Sequence, residues 1–284
     1  MSEGSLINLN LGALAKPVEI LIERVSDAVG GIARPWQIER IARAEGRADI
    51  ARAEARIEVT EVEQRAIQRL VKEEGRRQEN IESITAQATE FVSESARPQD
   101  IEEDWLTEFF ARCRNVSDSE MQRIWSAILA GEANHPGSYN KKTIDLLSTL
   151  GRTEAANFQK LTRFCFSIGN RLMVFVDDLE NPIFGKNGID FEYLSDLSDL
   201  GLLDFNHIAG FEVNAKTQEI PMTYSNRLVI VTLNSEKKIQ MGQVRLTIAG
   251  SQIMAMCSLV YDQEVLDYIL DKWRAGGATV GNFI

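Results

Sequence analysis

"NVSDSEMQRIWSAILAGEANHPGSYNKKT" occupies residues 115–143 and contains both ends of one predicted helix and the start of the next. Residues 117–120 fit the capping-box pattern, in which a side-chain oxygen accepts from a free backbone N–H and the glutamate reaches back. Gly131 stands where a left-handed residue ends a helix, and Pro136-Gly137 favours a turn. Between these signals, apolar residues at helical spacing predict a buried face: Met121, Ile124, Trp125, Ile128 and Leu129.

Polar residues around this turn raise the question of an active site. Glu132 and His135 could pair as metal ligands or as acid and base, because residues three apart share a helix face. A helix that ends at Gly131, before the turn at Pro136, argues against that arrangement. We therefore interpret the segment as structural first and, second, as a loop that contacts a partner protein. The candidate contact residues are Glu132, Asn134, His135, Ser138 and Tyr139.

Upstream, residues 36–95 contain no proline and repeat small or apolar residues with 4-3-4 spacing. An eleven-residue period corresponds to about 3.67 residues per turn, so the stripe runs nearly straight along a helix. We predict a long, coiled-coil-like, alanine-rich helix over residues 35–96, roughly 90 Å in length, with a break or bend at Gly75 as a possibility.

A helix longer than a small domain cannot cover its whole stripe within one chain, which favours self-association. The alternative is that the helix lies on its own C-terminal domain. The residues predicted to mediate self-association are Ala44, Ala48, Ala51, Ala55, Val59, Val62, Ala66 and Leu70.

Residues 1–34 form a separate amphipathic helix region, opened by Pro17 and closed by Gly30-Gly31. Such a helix either docks on protein or lies at a membrane surface. Its polar face carries more acidic than basic residues, which favours docking on protein.

Downstream, residues 97–151 predict a compact helical block, and residues 152–284 predict an α+β module. Helices are expected over residues 153–168, 190–203 and 262–277, and strands over "RLMVFV", "GFEVN" and "RLVIVTL". A strand, a turn and a helix are expected in "QVRLTIAGSQIMAMC". The predicted fold is mainly α: a long N-terminal helical rod, a compact helical block and a small winged-helix-like α+β module.

The helix expected at 190–203 occupies the position that reads DNA in winged helices, but it contains four acidic residues and no Lys or Arg. Insertion into the major groove would be electrostatically poor. The net charge of −11 and the pI of about 4.9 also disfavour phosphate backbones and anionic lipid. We therefore expect no specific DNA binding, and a membrane surface is possible but not favoured.

The sequence contains none of the common catalytic, metal-binding or phosphate-binding motifs: there is no Cys/His cluster, nucleophile elbow, phosphate-binding loop or paired-carboxylate signature. We predict no catalytic residues, no metal and no cofactor, with a metal-dependent nuclease built on scattered carboxylates as an open alternative. Cys113, Cys165 and Cys257 lie far apart in apolar patterns and are expected to be reduced, buried thiols of a cytoplasmic protein.

Several stretches carry a resemblance: "KPVEILIERVSDAVG", "PWQIERIARAEGRADI", the segment from residue 115 and "LTIAGSQI". The chain resembles an uncharacterised bacterial family, domain of unknown function 2806, over nearly its whole length and most strongly at "IWSAILAGE…PGSY". Residues 16–57 are also similar to the start of abortive-infection alpha proteins, which are linked to phage defence. The resemblance implies a bacterial cytoplasmic protein in anti-phage defence and supplies no catalytic residues.

These observations predict a non-enzymatic interaction protein that forms a homo-oligomer through its long helix. Its C-terminal half would bind another protein, as a sensor, adaptor or scaffold in antiviral defence. The alternative is a membrane-acting effector of an abortive-infection system that uses the N-terminal amphipathic segment.

Overall fold

The structure, a computed structural model, describes residues 15–30, 60–233 and 238–281. The chain divides into two compact units between Lys141 and Lys142. The described part is mainly helical, with a small antiparallel sheet region in the C-terminal unit. The boundary between the units falls inside the helical block predicted for residues 97–151.

Four helices make up the described part of the first unit: α1 Lys16–Val29, α2 Glu61–Thr89, α3 Glu103–Cys113 and α4 Ser119–Asn134, with a short 3-10 turn at Pro98–Asp100. α2 packs mainly on α4, and α1 packs on α3 and the 3-10 turn. The core between them is aromatic: the Phe109 ring lies 5.1 Å from Trp105 and 5.2 Å from Trp125. Of these side chains, Trp125 lies on the face that the periodicity predicts.

The long helix differs from its prediction at both ends. Thr60 is an extended N-cap, and its hydroxyl accepts from Glu63 N–H while the Glu63 carboxylate accepts from Thr60 N–H, so α2 begins at Glu61. A single helix over residues 35–96 is therefore wrong, since the helix also ends at Thr89. It continues through Gly75 without a break.

α4 begins one residue later than the capping box predicted over residues 117–120 would place it, and it also ends later than predicted. Asp118 is the N-cap, and its Oδ1 accepts from Met121 N–H at 3.0 Å. The helix runs past Gly131 to Asn134, so the expected helix end at Gly131 is wrong. The predicted face is confirmed, with Met121, Trp125, Ile128 and Leu129 buried and Ile124 half-buried.

All but the first residue of α5 Lys141–Thr149 belongs to the second unit, where the Thr143 hydroxyl donates a hydrogen bond to Gln252. Its other helices and its strands are α6 Arg152–Gln159, α7 Pro182–Lys186, α8 Phe191–Asp199, α9 Ile248–Met254, α10 Gln263–Ala275, β1 Cys165–Ile168, β2 Arg171–Val174, β3 Leu203–Phe205, β4 Phe211–Asn214, β5 Glu219–Tyr224, β6 Arg227–Thr232, β7 Lys238–Gly242, β8 Val244–Leu246 and β9 Thr279–Val280.

The strands form a five-stranded sheet of order β2-β1-β5-β6-β9 and two pairs, β3-β8 and β4-β7. All these pairings are antiparallel. α10 buries one face against the rest of the unit, and its Trp273 ring lies 5.3 Å from Phe166 of β1. The unit therefore has its core where this helix meets the sheet.

Two helix predictions need correction here. The helix expected over residues 153–168 ends at Gln159, because a 3-10 turn at Lys160–Phe164 leads directly into β1. The helix expected over residues 190–203 ends at Asp199, and β3 follows.

Candidate functional site

The predicted contact loop is closed by a buried carboxylate. Glu132 is 2% exposed, and its Oε1 accepts from Gly137 N–H at 2.6 Å while Oε2 accepts from Tyr139 N–H at 2.9 Å. Burial raises the pKa of this carboxyl, and the bonds from the loop amides act in the opposite direction. Both oxygens are occupied by the protein itself, so Glu132 ties the turn to the end of α4.

The position of the Tyr139 side chain explains why Gly131 lies inside a helix. A Cβ at position 131 would lie 2.7 Å from the Tyr139 ring, so the ring would have to shift if position 131 carried a side chain. Trp105 Nε1 donates to Tyr139 O at 2.7 Å and fixes the loop from α3. Gly131 therefore makes room for a neighbour rather than ending the helix.

Asn134 connects the end of α4 to the chain that leaves α2. Its Oδ1 accepts from Ser93 N–H at 2.8 Å, and its Nδ2 donates to Phe91 O at 3.0 Å. These bonds satisfy backbone groups that follow a helix end. Asn134 therefore has a structural function.

His135 and Ser138 complete the set of predicted contact residues. His135 is exposed, whereas Ser138 is half-buried like Asn134 and Tyr139, with its hydroxyl donating to His135 O at 2.6 Å. That this loop contacts a partner protein stays a prediction. Within the described ranges, no cluster of three His, Cys, Asp or Glu side chains is placed to hold a metal ion.

The predicted self-association stripe is described only in part, because Ala44, Ala48, Ala51, Ala55 and Val59 lie outside the described residues. Val62 and Leu70 are 66% and 56% exposed, and Ala66 between them is exposed as well. Ile67 and Val71 are also exposed, and they widen this apolar surface around the helix. We call Val62, Ala66, Ile67, Leu70 and Val71 the α2 stripe.

The same row of residues continues into the second half of α2, where it is buried. Ile81, Ile84 and Ala88 lie against α4. Polar residues fix this contact: Gln122 Nε2 donates to Asn80 Oδ1 at 3.1 Å, and Ser126 Oγ donates to Ile84 O at 2.9 Å. One half of α2 thus belongs to the core of the unit, and the other exposes apolar side chains.

The amphipathic helix α1 uses its apolar face inside the protein. Val18, Leu21 and Val25 are buried, and Arg24 Nη2 donates to Ile101 O at 2.5 Å. A face that packs on protein is not available to a membrane surface without leaving its partners. None of the helices in the described ranges is both long and apolar enough to cross a bilayer.

An aromatic surface that sequence reasoning missed lies in the second unit. The Phe191, Phe205 and His207 rings lie 5.3 to 5.8 Å from one another, and Ile208 beside them is 86% exposed. We call these four residues the aromatic patch. The available signal was Phe191 itself, because it falls outside the buried face that Leu194 and Leu197 define.

The three cysteines are free. Cys113 and Cys165 are buried, as expected, and Cys257 is half-buried. Burial raises the pKa of the Cys165 thiol to about 12 and that of Cys113 further, so both are protonated at neutral pH. This environment is that of structural thiols rather than nucleophiles.

Comparison with known families gives one match. A family model described as "Protein of unknown function (DUF2806)" matches residues 64–270, which confirms that resemblance. The similarity of residues 16–57 to abortive-infection proteins stays a prediction. No curated protein and no solved structure matches the chain.

Proposed function

The chain belongs to the family of proteins of unknown function DUF2806, and from its geometry we propose that it is a non-enzymatic interaction protein. It self-associates through the first half of α2 and binds another protein through its second unit. As a cytoplasmic sensor, adaptor or scaffold, it acts in anti-phage defence.

The α2 stripe carries the self-association proposal. Its five side chains occupy one half of the helix circumference, and the other half is polar, with Gln64, Arg65, Gln68, Arg69 and Lys72. Burying an aliphatic side chain is worth roughly 1.5–3 kcal/mol. A second copy that covers Val62, Ile67, Leu70 and Val71 would bury apolar surface from both chains, which favours association.

Light scattering across micromolar concentrations tests this proposal with a matched pair of variants. Leu70→Lys places a charge in the α2 stripe, and Gln68→Lys places the same charge on the opposite, polar face. We expect a mass that rises with concentration in the wild type and in Gln68→Lys, and a monomer in Leu70→Lys. A wild-type monomer throughout would mean that the chain covers this surface itself.

The element order of the second unit supports a winged-helix-like module that binds protein. α8 is followed by β3, which pairs with β8, and α9 begins directly after β8. α8 has no Lys or Arg with which to contact phosphates. Retention of fragment 142–284 on DNA, lost at high salt, would contradict this part of the proposal.

The defence role is supported by the resemblance of residues 16–57 alone and is tested in cells. Expression of the chain should lower plaque counts for at least one phage, and Leu70→Lys should restore them if self-association is needed. Unchanged counts over a broad phage panel would remove the defence role and leave the interaction role untouched.

A further inference from the structure

We propose that α8 and the aromatic patch form the docking surface for a cationic, amphipathic segment of a protein partner. This inference rests on the proposed function, because it names the chemistry of the partner that the second unit binds. The surface combines exposed apolar side chains with three exposed carboxylates that form no ion pair with a described residue.

The apolar part is held in a fixed shape. Asn206 Oδ1 accepts from Ala209 N–H at 3.1 Å, and Asn206 N–H donates to Gln243 O at 2.8 Å. This turn presents Ile208 at 86% exposure beside the His207 ring. Because the turn is held before binding, a partner gains apolar contact here with little ordering cost.

The acidic part lies on the same helix. Phe191 is 54% exposed at the start of α8, and Glu192, Asp196 and Asp199 follow on the exposed face. None of these three carboxylates has a side-chain partner among the described residues. The buried face of α8 is formed by Tyr193, Leu194 and Leu197 instead.

A concave site next to this face accommodates a long side chain. A cavity of about 530 Å³ lies between α6 and α8, and its acidic residues are Glu154, Asp196 and Asp199. The wall of this cavity also includes the polar residues Thr153 and Asn157 and the apolar residue Leu200, so a ligand would meet polar and apolar contacts together. A Lys or Arg side chain fits this combination, because its aliphatic stem packs on apolar wall and its head pairs with carboxylates.

The charge of the surface selects the partner. Apolar contact alone would accept many segments, but the exposed carboxylates of α8 repel acidic segments and attract basic ones. The occupant is therefore a segment with an apolar side chain for the aromatic patch and Lys or Arg for α8.

Fluorescence anisotropy on the full chain tests this with a labelled synthetic peptide of leucine and lysine in an amphipathic order. The comparison peptide carries glutamate in place of lysine. Two double variants probe the surface: Phe191→Ser with Ile208→Ser, and Asp196→Asn with Asp199→Asn. The control, Glu90→Gln with Glu94→Gln, removes the same charge from exposed carboxylates of the first unit.

We expect the lysine peptide to bind the wild type and the control alike, and each α8-surface variant to weaken binding at least about tenfold. The glutamate peptide should not bind. Equal binding by all variants, or no binding at all, would overturn the inference. Light-scattering mass on the same samples separates the outcomes, because self-association does not depend on this surface.

Discussion

Gly250 is a residue whose backbone position leaves no room for a side chain. A Cβ there would overlap the Leu202 carbonyl oxygen, which is a backbone atom and cannot rotate away. Thr247 holds the two segments together, since its Oγ1 donates to Gly201 O at 2.7 Å and accepts from Gly250 N–H at 3.0 Å. The "LTIAG" motif is thus a close contact between the start of α9 and the chain that follows α8.

We expect Gly250→Ala to lower the free energy of unfolding by roughly 2–4 kcal/mol, because the segments must separate to admit the methyl group. Urea unfolding measures this. Gly185→Ala is the control in the same unit, since nothing lies within 4 Å of a Cβ there. If Gly185→Ala lowered the free energy of unfolding as much, the cause would be a general effect of alanine in these helices and not the contact with Leu202.

Glu132→Gln tests how much the loop depends on a carboxylate. An amide has one acceptor oxygen where the carboxylate uses two, so one loop N–H loses its partner. At a pH where Glu132 is ionised, we expect a loss of about 1–2 kcal/mol in the free energy of unfolding.

The pH dependence of that loss follows from the raised pKa of Glu132. The folded state binds this proton more tightly than the unfolded chain, so wild-type stability falls as pH rises through the interval between the two pKa values. Glutamine does not titrate, and the gap between wild type and Glu132→Gln should therefore narrow with pH. A gap that widens as pH rises would mean that the hydrogen bonds from the loop amides lower the pKa of Glu132 more than burial raises it.

At the level of elements, α2 is one helix with two environments. Its second half is held by α4, and its first half depends on local interactions, such as the Thr60–Glu63 capping box and the Arg65–Glu61 ion pair. Exposed ion pairs of this kind contribute little. The cap is therefore the main local determinant of where α2 begins.

Thr60→Ala should cost about 1 kcal/mol locally, because the hydroxyl acceptor is lost. Hydrogen exchange at residues 61–66 should accelerate by roughly five-fold, while global unfolding by urea stays unchanged, since this end of α2 opens by itself. Thr60→Ser keeps the hydroxyl and should exchange like the wild type. Unchanged exchange in Thr60→Ala would show that tertiary contacts hold this end.

The capping box also shows what periodicity can hide. "TEVE" at residues 60–63 is a readable cap signal, but the 4-3-4 spacing passes through it without interruption. Spacing reports which residues share a helix face, and a cap reports where a helix begins. When the two disagree, the helix begins at the cap, because the capping side chains satisfy the free backbone N–H groups there.

For the whole molecule, net charge sets how the two proposed interactions respond to salt. Each copy carries −11, so copies repel one another, and salt screens that repulsion. Between about 50 and about 500 mM NaCl, we expect self-association to strengthen and the lysine peptide to dissociate. Light scattering and anisotropy measure the two on one sample series. Self-association that weakens with salt would indicate ion pairs at the interface instead of the α2 stripe.

The sequence by itself determined the helix faces that form the cores. In α4, the buried side chains Met121, Trp125, Ile128 and Leu129 lie on the face that helical spacing predicts. The caps at Asp118 and Asp262 can also be read directly, because a side chain that accepts from the next turn is a local interaction.

Only the tertiary structure decided which apolar residues are covered and which remain exposed. Ile84 and Leu70 belong to one stripe with one spacing, yet α4 lies opposite the first and no described residue covers the second. Likewise, Gly131 and Glu132 look like a helix end with a free carboxylate until Tyr139 and Gly137 pack against them. The physical reason is that spacing encodes the geometry of one element, whereas burial depends on a second element brought to it from elsewhere in the chain.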